Sequence, residues 1–194
     1  MQSIQNCEQK TDEELITLVL ENQGYYRCLI ERYESKIARY IKRISGGSKE
    51  DIEDLLQEIF IKIYQNLNDF DKSLKFSSWV YRIAHNHVIS EFRKKKSRPQ
   101  SVAGEEIDEF LYNIASELNI EKDINDNDLR KDIKKVLTQL DFKYREVLIL
   151  KFLEEKSYEE ISDILRKPIG TVGTLINRAK KQFKKNTENL GVNF

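Results

Sequence analysis

Residues 76–98 read FSSWVYRIAHNHVISEFRKKKSR, and their period decides how the rest of the chain is read. Stepped at about 100° per residue, as in an α-helix, Phe76, Trp79, Val80, Ile83, Ala84 and His87 gather on one side. That is an apolar stripe of the kind that docks a helix on a core. Arg82, Asn86, Ile89 and Arg93 fall on a second side, spaced i, i+4, i+7, i+11, and Trp79 sits at the border between the two. The helix then runs into Arg93-Lys94-Lys95-Lys96. Guanidinium and ammonium groups track phosphates, and aromatic faces stack on unpaired bases. A basic helix end also arises as a solvated C-terminus favoured by the macrodipole. This helix alone does not separate the two readings; the rest of the chain does.

Composition points to an all-α fold. Of 194 residues, 34% are charged and 39% hydrophobic, while only 7 are glycine and 2 proline, too few for a turn-rich β architecture. The length allows one large domain or two small ones. Net charge is +0, so total charge says nothing of partners. Its distribution does: residues 93–98 and 166–185 are basic, residues 50–58 and 105–128 acidic, which suits separate cationic and anionic contact surfaces. Cys7 and Cys28 are the only cysteines, and neither has metal-ligand spacing. They read as reduced thiols of a cytoplasmic protein. His85 and His87, at i, i+2 on a helix, point apart, so no metal site is expected. The apolar run at residues 15–20 is too short to span a membrane.

Before the decisive helix, Thr11 and Glu14 form a capping box opening a short helix to about Asn22. Tyr26, Leu29, Ile30, Tyr33, Ile37, Tyr40, Ile41 and Ile44 keep a helical period that Gly46-Gly47 ends. Residues 51–67 (DIEDLLQEIFIKIYQNL) make a third helix, with Ile52, Leu55, Leu56, Ile59, Phe60, Ile63 and Leu67 inward. Its other face carries Asp54, Gln57, Glu58, Ile61 and Gln65. An isoleucine framed by carboxylates and an amide matches the apolar centre and polar rim of a protein contact, although a single exposed apolar residue is common. Residues 68–75 form a polar turn, and Ser77 is placed to cap the helix after it.

Beyond Pro99 the chain is polar and acidic to about Asp126, which predicts a linker. A second helical module then starts near Leu129, with a strongly apolar helix at residues 144–153 (YREVLILKFL) at its centre. Ser157 and Glu160 form a second capping box, Arg166-Lys167-Pro168 a turn, and residues 169–185 a last helix. Val172, Ile176, Ala179 and Phe183 face its core. This is a helix-turn-helix. The early turns of such a recognition helix approach base edges and later basic residues hold phosphates. That gives Thr171, Gly173, Thr174 and Asn177 to the groove, and Arg178, Lys180, Lys181 and Lys184 to the backbone.

Taken together, DIEDLLQEIFIKIY (residues 51–64), FSSWVYRIAHN (residues 76–86) and SYEEISDILRKPIGTV (residues 157–172) with its trailing Asn177-Arg178-Ala179-Lys180 resemble the extracytoplasmic-function sigma factors of bacterial RNA polymerase. The resemblance implies a region 2 at residues 11–98, a linker at 99–127 and a region 4 at 128–187. It implies a cytoplasmic, non-catalytic protein without cofactor, whose partners are core RNA polymerase, promoter DNA and an anti-sigma factor. Asp54, Gln57, Glu58 and Ile61 would bind core polymerase. Trp79, Arg82, Asn86 and Arg93 would read the minus-ten element as its strands separate. Thr171, Gly173, Thr174, Asn177, Arg178 and Lys181 would read the minus-thirty-five duplex. The family usually carries basic residues at the positions of Gly173 and Leu175, so Thr174 and Asn177 would carry more of the readout here. A stand-alone helix-turn-helix regulator is the main alternative. A nuclease built on the carboxylates of residues 50–58 is disfavoured, because they spread around a helix without a converging partner.

Overall fold

Each helix of the first module begins and ends where its local chemistry requires. The computed structural model describes residues 7–97 and 140–189, which form two helical modules with no strand among them. Helix α1 (Asp12–Glu21) opens on the Thr11 capping box, with Glu14 N–H donating to Thr11 Oγ1 at 3.2 Å and Thr11 N–H to Glu14 Oε2 at 2.8 Å. Helix α2 (Tyr26–Ser45) ends at Gly46, whose φ of 65° is the left-handed geometry glycine adopts without strain. Ser48 caps α3 (Lys49–Gln65) through Asp51 N–H. Helix α4 (Phe76–Ser97) starts two residues earlier than a Ser77 cap would allow. Trp79 N–H already bonds Lys75 O, so Ser77 lies inside the helix and does not cap it.

Helices α2, α3 and α4 pack on one another, and α1 covers α2. Leu15, Leu29, Ile37, Tyr40, Ile59, Ile63, Phe76 and Ala84 fill the centre and are fully buried. An aromatic train of Tyr33, Phe76, Phe70 and Trp79 joins the α2 side of this core to the turn before α4.

Cys7 and Cys28 do not stay apart as reduced thiols. A 3-10 turn at Cys7–Gln9 lays Cys7 against α2 and the two are joined in a disulfide. Sequence spacing gave no sign of this, because the partners meet only once the turn docks. Arg32 holds the same segment independently, donating to Cys7 O, Lys10 O and Asp12 Oδ1 at 2.7, 2.7 and 2.8 Å.

In the second module, α5 (Phe142–Leu148) continues as a wider π-helical turn, Ile149–Leu153. The apolar run is therefore helical as expected but not uniformly α. The wider turn sends both Ile149 and Leu150 into the core and delivers Glu154 at its end. Helix α6 (Tyr158–Leu165) opens on the Ser157 capping box and closes at Arg166 in the left-handed region. Helix α7 (Ile169–Asn189) follows Pro168, with Val172, Ile176 and Ala179 fully buried against α5 and α6. The linker at 99–127 and the helix expected from Leu129 lie outside the described residues.

Candidate nucleic-acid interface

Polar groups converge where α4 passes the end of α3. A cleft of about 430 Å³ is lined there by Lys62, Asn66, Asp69, Trp79, Arg82, Ile83, Asn86, His87, Ser90 and Arg166. The turn after α3 is held open by its own bonds: Asp71 Oδ1 accepts from Ser73 N–H at 2.9 Å. Within the cleft Asn86 is exposed and Arg82 half-buried. Burial holds the Arg82 guanidinium below its ordinary range, and neighbouring Arg166 acts in the same direction. Two cations drawn together across one cleft are a site for an anion of the phosphate type.

Trp79 is 6% exposed, stacked on Phe76 and edge-on to Phe70. It forms a wall of the cleft more than a free platform. Arg93 continues α4, but its side chain lies outside those described, as do those of Lys95 and Lys96. Sequence reading missed Lys62, Asn66 and Arg166, which reach the cleft from other elements. No helical period within one stretch could have found them.

The acidic face of α3 is as its period predicts. Asp54, Gln57, Glu58 and Ile61 are all exposed, and Ile61 is 56% so. Ile61 edges an apolar groove shared with Tyr26, Ile30, Leu56, Phe60 and Tyr64. His87 Nε2 lies 2.8 Å from Glu58 Oε2, and Lys62 Nζ donates to His87 Nδ1 at 2.7 Å. Burial, with Lys62 adding to it, keeps the His87 pKa below the usual imidazole range, while the Glu58 carboxylate acts in the opposite direction. The chain Glu58–His87–Lys62 thus connects the α3 face to the cleft.

On α7, Thr171, Thr174, Asn177, Arg178 and Lys181 are exposed and Gly173 half-exposed. The Thr174 hydroxyl donates to Gly170 O at 2.8 Å, which leaves its lone pairs and methyl group outward. A Cβ on Gly173 would meet Tyr158 Cε2 at 3.7 Å, an ordinary contact. The helix-turn-helix geometry is locked by Ser162, whose Oγ donates to Lys167 O at 2.6 Å across the turn. Among the described residues, no group of three or more His, Cys, Asp or Glu side chains is placed to hold a metal ion. None of the helices described is long and apolar enough to cross a membrane.

Comparison with known proteins gives one consistent result. The family model for sigma-70 region 2 matches residues 29–98, and that for sigma-70 region 4 matches residues 130–183. The chain is 35% identical to the ECF RNA polymerase sigma factor SigW of Bacillus subtilis over 173 residues, spanning 87% of this chain and 92% of that one. It is 31% identical to the ECF RNA polymerase sigma-E factor of Escherichia coli K12 over 179 residues, spanning 90% and 93%. Its fold is similar to that of CnrH in complex with the cytosolic domain of CnrY, with a TM-score of 0.65 at 22% identity over 92% of this chain and 97% of that one. It is also similar to RpoE in complex with the anti-sigma factor NepR from Bartonella quintana, with a TM-score of 0.60 at 21% identity over 84% and 96%.

Proposed function

Because the chain belongs to the extracytoplasmic-function group of the sigma-70 family, we propose that it binds core RNA polymerase in the cytoplasm and directs it to promoters, without catalytic chemistry of its own. The observation that carries this reading is the coexistence of an acidic-apolar protein face on the first module and a cationic cleft built on it by Lys62 and Arg82, with Arg166 of the second module at its edge. A second module presenting a recognition helix complements them.

In this reading the α3 face is the polymerase contact, with Ile61 at its apolar centre and Asp54, Gln57 and Glu58 around it. The α4 cleft receives the minus-ten strand. Unstacking a base costs a few kcal/mol, and amide contacts from Asn86 with charge from Arg82 and Arg93 offset that cost. Trp79 supplies a rigid wall, and its mostly buried ring limits stacking to one edge. On α7 the groove-facing residues are Thr171, Gly173, Thr174 and Asn177, with Arg178 and Lys181 on phosphates. Asn177 is the best reader of a base there, since a carboxamide can pair with adenine by two hydrogen bonds in the major groove. An anti-sigma factor is a further partner in this reading, since the similar RpoE is in complex with one.

The test is transcription with purified core polymerase on a genomic promoter library. Discrete start sites that depend on this protein support the reading. Tight sequence-specific duplex binding by the protein alone, with no effect on polymerase, would instead make it a stand-alone helix-turn-helix regulator.

A further inference from the structure

His87 is the one titratable member of the apolar stripe on α4, and its side chain is only 3% exposed. Both ring nitrogens meet charged groups of α3. Nδ1 takes a hydrogen bond from Lys62 Nζ at 2.7 Å, and since an ammonium can only donate, Nδ1 is the accepting nitrogen. Nε2 lies 2.8 Å from Glu58 Oε2 but off the line of a hydrogen bond, so the carboxylate is close to the ring without being fixed to it. Glu58 itself is 59% exposed. On α4, Glu91 faces the same ring from one turn further on and is paired with Lys94 at 2.6 Å. Arg82 of α4 and Arg166 of the second module line the cleft beside it.

Glu58 and Lys62 stand four residues apart on α3, the acid nearer the N-terminus. That spacing and order favour a direct ion pair on a helix. Arg27 with Glu31 and Lys49 with Glu53, at the same spacing in the less favourable order, do pair, at 2.7 and 3.8 Å. Between Glu58 and Lys62 an imidazole intervenes instead. The carboxylate stays outward on the acidic face, and the ammonium lines the cleft. A closed pair would withdraw one charge from each surface at once.

We propose that His87 is a positioning residue: by standing between Glu58 and Lys62 it prevents their direct pairing and keeps the carboxylate open to polymerase and the ammonium open to the DNA strand. What the two charges meet rests on the sigma-factor reading, whereas their separation does not. An apolar side chain of similar size would fill the same space and hold neither charge. A glutamine amide could still accept from Lys62 and donate towards Glu58.

Binding of Bacillus subtilis core polymerase, followed by fluorescence anisotropy, tests the role. His87→Leu should weaken binding about two- to fivefold, the weight of an exposed ion pair that polymerase must then break. His87→Gln should recover most of that loss. Adding Lys62→Met to His87→Leu should also restore the affinity, because the ammonium that captures Glu58 is gone; a merely structural defect would not be mended by removing a second charge. If His87→Leu loses helical circular dichroism, the ring is followed in the intact protein instead. The chain has two histidines, so nuclear magnetic resonance over pH shows two imidazoles, and that of His87 is the one missing from His87→Gln. Burial and Lys62 hold its pKa down while Glu58 opposes them, so Lys62→Met should raise it and Glu58→Gln should lower it. A folded His87→Leu that binds as wild type, a loss that Lys62→Met does not mend, or a ring pKa that neither charge moves would overturn the proposal. A wild type that does not bind polymerase, with the ring pKa moving as stated, would support the separation of charges and count against the sigma-factor reading alone.

Discussion

Replacing Ile61 by alanine isolates the apolar centre of the α3 face. The side chain is 56% exposed, so that fraction of its surface remains to be buried by a partner. Fully burying an isoleucine is worth about 1.5–3 kcal/mol, which scales to about 1–2 kcal/mol here. Lost on binding, that is a weakening of roughly 5- to 30-fold. Little of it should appear in the free protein. Ile61 is on the outer face of α3, alanine is the better helix former, and Phe60, Ile59 and Ile63 hold the core without it. The midpoint of thermal unfolding should therefore stay within about 2 °C of wild type. The assay is fluorescence anisotropy of labelled protein titrated with core polymerase, beside a thermal melt. Ile61→Glu should bind more weakly still, since it also forces a carboxylate into the apolar contact. Polymerase affinity within twofold of wild type for both variants would refute the assignment of this face.

Asn86→Ala should leave core-polymerase affinity within twofold but reduce strand opening about tenfold or more at a matched promoter, read by permanganate footprinting; equal loss of both would move Asn86 from the DNA to the scaffold. Glu146→Gln should expose a pH dependence that the wild type conceals. Burial raises the Glu146 pKa to about 7 and lowers that of His85 to about 4. The buried carboxyl contributes stability at low pH that is lost as pH rises from 4.5 to about 7, whereas neutral His85 contributes stability above 6.5 that is lost as pH falls towards 4. The two oppose each other across the shared range and flatten the wild-type curve. With glutamine at 146 only the histidine effect remains, so melts should show stability dropping by about 1–3 kcal/mol between pH 6.5 and 4. Gly173→Ala should stabilise the second module by about 0.5–1 kcal/mol in thermal or urea unfolding, since a helical glycine is replaced and its Cβ has room beside Tyr158.

What could be read from the sequence was what is local. Thr11, Ser48 and Ser157 announce helix starts because each satisfies backbone groups within three residues, and all three do so. The periods of α2 and α3 mark their buried stripes, that of α4 leaves out Ser78, Tyr81, His85 and Val88, which are buried as well, and Asp54, Gln57, Glu58 and Ile61 emerge together on the open face of α3. Trp79 shows where a period loses resolution: a residue at the border of two faces can turn either way, and Phe70, 9 positions back in another element, draws it inward. The remaining features depend on pairs far apart in the chain. The Cys7–Cys28 bond, the Glu58–His87–Lys62 chain and the Arg43–Glu154 ion pair join residues from different elements. No spacing rule reaches across a fold. The helix of residues 144–153 changed character for a related reason, since its last turn widens where it must meet both its own core and the other module.

The central claim is that one short chain divides its work between a polymerase-gripping surface and two DNA-reading surfaces. The most direct measurement is run-off transcription from a single genomic promoter with core polymerase, with and without the protein, beside a gel shift on the same duplex. The account predicts a transcript of defined length only when the protein is added, and weak binding of the duplex by the protein alone. A strong shift without polymerase, together with no defined transcript in its presence, would contradict it.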